Sequence, residues 1–169
     1  MGKKIFIVRH GKSDWSTPDI SDIDRPLKPR GIRDAYKMAK LLKQKKEQQV
    51  DLIISSPATR AIHTAIIFSR ILQIPEKNIL IEYELYMADS VSIKEYCHKI
   101  SDNYNKVMIV GHNPGFTTFA NKFTPNEINN VPTSGLVILD FDCSSWKDIA
   151  PGVLKNHFFD YPRKHRILK

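Results

Sequence analysis

An apolar run of β-branched and aromatic residues, Ile5, Phe6, Ile7 and Val8, breaks off abruptly at Arg9, His10 and Gly11. Such a run reads as a strand buried on both faces, the kind that parallel sheets contain. The pattern returns in LIISSPATRAIHTA (Leu52 to Ala65) and in VMIVGHNPG (Val107 to Gly115). In both repeats a small residue ends the run, and Pro57 or Pro114 then stands at an expected first helical position behind a capping Ser56 or Asn113. Strand, tight turn and helix in this order belong to an open α/β sheet, where C-terminal strand ends line one crevice, the usual ligand site. Arg9, His10, Arg60 and His112 are therefore expected to meet in space.

Two guanidiniums and two imidazoles at the head of a sheet suit a compact, multiply charged anion, because Arg offers paired donors to phosphate oxygens. A helix starting at Pro114 would point backbone N–H groups and its positive end toward the same place. Neighbouring cations disfavour a further charge, so His10 is expected in its neutral, nucleophilic form. Covalent catalysis through a phosphohistidine follows as the expected chemistry.

FIVRHG, SSPATRA and VGHNPG, in this order and spacing, resemble the histidine phosphatase superfamily. The short chain, the segment DRPLKPRG (Asp24 to Gly31) and the lack of a large inserted cap most resemble its SixA-type phosphohistidine phosphatases. The resemblance covers nearly the whole chain. It implies a three-layer α/β/α sandwich with a mostly parallel central sheet and an antiparallel edge, and a phosphohistidine on a protein as substrate. The expected partner is a phosphorylated protein, such as a histidine phosphotransfer domain.

A length of 169 residues with 41% hydrophobic residues fits one domain over residues 1–169. A net charge of +8 favours acidic or phosphorylated partners through long-range steering, with nucleic acid the less expected choice. Several lysines, Lys43, Lys45 and Lys46 among them, read equally well as the solvated end of a helix. Cys97 and Cys143 lack metal-ligand spacing and are expected as free thiols in a reducing cytoplasm. The N-terminus has too short an apolar region for a signal peptide, and no run approaches about 18 apolar residues, so a soluble cytoplasmic protein without membrane contact is expected.

Along the chain, Gly11 to Pro29 is a loop rich in turn residues that leaves directly from His10 and is expected to form one wall of the site. Ser13 matches a serine common after the superfamily's triplet, and reads equally as a phosphate ligand or a turn residue. Arg25 reads as a salt-bridge partner between loop and core. Ile32, Ala35, Tyr36, Ala39 and Leu42 recur at helical spacing from Arg30 to about Lys46, with Tyr36 expected in the core. His63 shares a face with Arg60 but reads as a packing or surface histidine. Strands are expected at Leu52 to Ser55, Ile79 to Ile81, Lys106 to Gly111 and Leu136 to Phe141, with helices from Ser92 to Ile100 and Pro114 to about Lys122. Gly135 is expected to serve a turn. A further strand or two is expected around Trp146 and from Val153 to Tyr161. The basic tail YPRKHRILK is expected to be disordered or to touch a partner.

The best-known branch of the superfamily has a catalytic Glu two residues after a leucine; counting from Leu85 places Met87 there. Glu84 and Asp89 are the nearest replacement proton donors, and Asp14 or Asp22 could reach in from the first loop; each also reads as a solvated carboxylate. An alkyl phosphate benefits greatly from a positioned proton donor, whereas imidazole, with an ordinary pKa of about 6.5, is far easier to expel. The missing Glu thus suits a phosphoramidate better than an ordinary ester.

Metal chemistry is not expected, because Arg9 and Arg60 would repel a cation at His10 and His112 and the arginines already supply charge. The seven glycines form neither G-x-G-x-x-G nor a P-loop, so no nucleotide or other cofactor is expected. Two other readings of the same pocket stay open: a small-molecule phosphomonoesterase or mutase, and an inactive phosphate-binding module.

Overall fold

The computed structural model describes residues 2–45 and 49–165. Its strands are β1 (Lys3–Arg9), β2 (Leu52–Ser55), β3 (Ile79–Ile81), β4 (Lys106–Gly111), β5 (Leu136–Phe141) and β6 (Leu154–Asp160). Its longer helices are α1 (Pro29–Lys43), α2 (Thr59–Leu72), α3 (Ser90–Lys99) and α4 (Gly115–Asn121). The six strands form one sheet in the order β3-β2-β4-β1-β5-β6. β3, β2, β4 and β1 run parallel, while β5 is antiparallel to both β1 and β6. This is the expected three-layer α/β/α fold with an antiparallel edge.

Strand periodicity divides the core. Ile5 and Ile7 face one way and join Ile93, Cys97, Phe116 and Phe119 from α3 and α4. Phe6 and Val8 face the other way and join Met38, Leu42, Ala61 and Phe68 from α1 and α2. Over residues 5–8 both faces of β1 are fully buried, which is why this stretch is an unbroken apolar run rather than an alternation.

Several boundaries differ from the expectations. Pro57 is not the first helical residue; α2 starts at Thr59, with Ala58 extended before it. The Ser56 side chain is turned toward His112, and its oxygen accepts only a long bond from the Ala58 N–H, at 3.3 Å. Likewise α4 starts at Gly115, one residue past Pro114. Trp146 lies in a short 3-10 turn, not a strand. Its backbone N–H is held by Asp102 and its indole N–H by the Tyr104 carbonyl, so its polar atoms are satisfied in a buried corner. The late strand is β6 alone. Within the basic tail Pro162–His165 form a short 3-10 turn, and His165 Nε2 lies 2.8 Å from each Asp160 carboxylate oxygen. The rest of the tail, 166–169, and Lys46 at the expected end of α1 lie outside the described residues.

One close approach fixes where the first loop departs. A Cβ on Gly31, in the first turn of α1, would overlap the backbone of Lys12. Gly31→Ala must therefore push the Lys12 segment away from α1, two residues from His10. The expected result is a loss of about 1–3 kcal/mol in urea unfolding together with reduced turnover. Wild-type values for both would show that the loop yields freely.

Candidate active site

The sheet order explains which side chains meet. β2, β4 and β1 are successive neighbours, so the residues following their C-terminal ends are adjacent as well. Arg9 is in register with Gly111, and the His10 N–H donates to the Gly111 carbonyl at 3.0 Å. The Ser56 N–H donates to the Val110 carbonyl at 2.9 Å, placing the β2–α2 turn beside His112. Arg60 enters from the first turn of α2. Thr64, one helical turn later, ties these pieces together, accepting from the Gly11 N–H at 3.0 Å and donating to the Arg60 carbonyl at 2.7 Å.

The four expected residues all line one cavity of about 350 Å³. The rings of His10 and His112 lie 5.1 Å apart. His10 Nδ1 donates to the Gly11 carbonyl at 2.7 Å, which leaves Nε2 as the unprotonated nitrogen. Burial, reinforced by the charges of Arg60 and Arg9, outweighs that carbonyl and lowers the His10 pKa to about 4. His112 accepts from Arg60 at Nδ1 over 3.4 Å, so its Nε2 donates to Ser56 Oγ at 2.7 Å. Burial, then His10 and Arg60, lower its pKa to about 3. Two neutral imidazoles thus face two guanidiniums.

Arg9 donates from Nη1 to the Val131 carbonyl at 2.9 Å, and its buried Nε has no partner among the described residues. Burial alone lowers its pKa. Arg60 is held differently. Its Nη2 pairs with Asp22 at 2.8 Å, and its Nη1 donates to the Asp22 carbonyl. The Tyr86 hydroxyl also donates to the Asp22 carboxylate, at 2.7 Å. Burial pushes the Asp22 carboxyl up, but hydrogen bonds from Tyr86 and Arg60 more than offset it and leave it below the usual carboxylate range.

Ser13 also lines the cavity, its oxygen accepting from the Trp15 indole N–H at 3.1 Å. Met87, the residue at the expected Glu position, lies at the rim in a left-handed conformation with φ 51°. Of the four carboxylates named as possible proton donors, Asp22 reaches the cavity from the first loop, and the other three lie elsewhere. Glu84 is exposed and paired with Lys99 at 2.7 Å, and Asp89 caps α3 by accepting from the Val91 and Ser92 N–H groups. Neither lines the cavity, because each carboxylate is drawn to the surface partner nearest in sequence or space. Asp14 caps a turn at Ser16 and His63 stays outside the cavity lining. Arg25 stacks over Trp15, 3.9 Å from the ring centroid, and lies 3.7 Å from Asp22. Tyr86 was invisible to sequence reasoning; it sits in an irregular segment with no periodicity to mark it. Ser56 was visible, but as a helix cap rather than as a histidine partner.

Cys97 is buried and free, with burial pushing its thiol up to about 12; Cys143 is also free. Among the described residues, no cluster of His, Cys, Asp and Glu is arranged to hold a metal ion, and no helix is long and apolar enough to cross a membrane.

The depressed histidines set a pH dependence of stability. In the unfolded chain both protonate near pH 6.5, whereas in the folded chain they stay neutral down to about 4 and about 3. Below about 6.5 the unfolded state therefore binds more protons, and stability falls as pH drops through this window; above it the contribution is fully present. Urea midpoints should decline from about pH 7 to about pH 4, and the slope should flatten in His112→Asn. An equal slope in that variant would mean the imidazole is not desolvated.

With this geometry in view, the sequence model of the histidine phosphatase superfamily (branch 1) matches residues 5–109. An uncharacterized protein of Mycobacterium tuberculosis is 32% identical over 173 residues, covering 92% of this chain and 100% of its own. Among solved structures, a chain from Agrobacterium tumefaciens named as a candidate phosphohistidine phosphatase SixA is 28% identical. It covers 83% of this chain and 93% of its own, with a TM-score of 0.75. A protein histidine phosphatase SixA complexed with tungstate shares the fold at TM-score 0.76 and 22% identity, over 96% of this chain and 99% of its own.

Proposed function

The chain belongs to the histidine phosphatase superfamily, and from that premise we propose that it removes phosphate from phosphohistidine on a protein, without a metal or other cofactor, in the cytoplasm. The observation that carries this reading is His10: buried, with Nδ1 fixed on the Gly11 carbonyl and Nε2 free of a proton between two guanidiniums. In the first step His10 Nε2 forms a bond to phosphorus as the bond to the substrate imidazole breaks, and that ring, already protonated on its other nitrogen, leaves as neutral imidazole. Arg9, Arg60 and His112 hold the three equatorial oxygens and offset their charge in the transition state. Water then attacks the phosphorylated His10, releasing inorganic phosphate and restoring the free imidazole.

Two adjustments accompany binding. Arg60 must release Asp22 to reach the phosphoryl group. His112 must present an N–H from Nδ1, which the Ser56 hydroxyl permits, since it can donate to Nε2 as well as accept from it. Ser13 supplies a further hydroxyl at the cavity wall.

The leaving group is inferred from what the cavity lacks. Met87 offers no proton, and among the described residues Asp22 is the only carboxylate lining the cavity and is held ionised by Arg60 and Tyr86. A lining without a ready acid favours imidazole over an alkoxide as leaving group. The named resemblance of the Agrobacterium tumefaciens chain supports the same substrate. Phosphate release from a histidine-phosphorylated phosphotransfer domain and from an aryl phosphate, in chelator-treated buffer, tests it. Preference for the phosphoprotein supports this reading. Turnover of the small ester alone points to a small-molecule phosphatase, and phosphate binding without any turnover points to a binding module.

A further inference from the structure

The catalytic cavity is one of three neighbouring hollows that share lining residues and together make an interrupted channel. Arg9, Lys12 and Thr133 form part of its wall and also part of the wall of an adjoining hollow of about 290 Å³. That hollow in turn shares Asn130, Pro132 and Arg163 with a groove of about 610 Å³. The floor of the groove includes His157, Phe159 and Tyr161, alternate residues at the end of β6 that share one face of the chain. The 124–132 loop also lines it, bringing Asn126, Asn129, Asn130 and one carboxylate, Glu127, while Arg163 and Lys164 add two cations.

Charge is concentrated where the compartments meet. The middle hollow is lined by Arg9, Lys12, Arg30 and Arg163 against a single carboxylate, Asp34, already paired with Arg30 at 3.4 Å. Lys12, Arg30 and Arg163 are exposed, and Arg163 has no ion-pair partner among the described residues. A phosphoryl group fills only the catalytic end. A small phosphorylated metabolite would leave the amide- and aromatic-lined groove empty, whereas an extended polypeptide can place main-chain groups against the asparagines and side chains over Phe159 and Tyr161.

We infer that this channel binds an extended, acidic segment of the substrate protein on one side of its phosphohistidine, with carboxylates opposite Arg30 and Arg163. The inference rests on the phosphohistidine reading above and adds where the polypeptide lies and what charge it carries. Electrostatic matching of this kind acts on encounter and KM more than on the chemical step.

Its test uses the whole chain and two synthetic phosphohistidine peptides that differ only in an aspartate-rich or a lysine-rich flank, with an aryl phosphate as control. The wild type should favour the acidic peptide by at least about tenfold in kcat/KM, through KM, and added salt should shrink the preference. Arg163→Glu and Arg30→Glu should each abolish or invert it, while turnover of the aryl phosphate stays within about twofold and shows that both variants fold. Equal use of both peptides by the wild type, or a preference untouched by Arg163→Glu, overturns the channel and leaves the phosphohistidine reading standing. If the aryl phosphate is hydrolysed and neither peptide is, that reading itself fails and the channel falls with it.

Discussion

His10→Ala should lower kcat by about 10⁴-fold or more, the usual cost of removing a nucleophile from a group of residues that act together. The size follows from the site. Among the described residues lining the cavity no other unprotonated nitrogen is free to attack, since His112 Nδ1 accepts from Arg60 and its Nε2 serves Ser56. Removing the His10 side chain also leaves the Arg9, Arg60 and Lys12 cations in place, so inorganic phosphate should still bind to within about tenfold. Quenched-flow labelling with phosphorylated substrate should give an acid-labile, base-stable phosphoenzyme in the wild type and none in the variant. A variant that turns over within about tenfold of wild type would exclude His10 as nucleophile, and a label surviving elsewhere would name the residue that replaces it.

Arg60→Ala should cost about 10²–10³ in kcat/KM, the range for deleting one donor aimed at transition-state charge. Arg60 is nearly fully buried and contacts Asp22 through two nitrogens, so the geometry offered to an anion is forked rather than a point charge. Arg60→Lys should for that reason recover little of the loss. Stability should change much less than rate, because the Asp22 carboxylate is largely exposed and regains water when its partner is removed. Full activity in the lysine variant would show that charge alone suffices there.

The fold and the four cavity residues could be read from the chain because each rests on a local signal with a short physical reach. Ile5 to Val8, Leu52 to Ser55 and Val107 to Gly111 announce strands buried on both faces, and the charged or small residue ending each run marks a strand end. Parallel neighbours then bring those ends together without further instruction. What was not legible depends on loops folding over the sheet. Asp22 could be named as able to reach in from the first loop, but not its partners: Arg60 lies 38 positions away and Tyr86 lies 64 away, and neither separation leaves a periodic trace. Glu84 and Asp89 failed as candidates for the same reason in reverse: proximity in sequence to Met87 says nothing of direction, and both point to local surface partners.

The carboxylate of Asp22 means that the resting site is never vacant of negative charge. Substrate entry is an exchange of one anion for another, and the reverse exchange expels the product. Affinity for phosphate is thereby lowered by whatever Asp22 gains from Arg60 and Tyr86, so the same clasp that slows capture of a weak ligand also limits inhibition by the free phosphate that surrounds the enzyme in solution. A cavity built only of cations would bind its product more tightly and turn over more slowly.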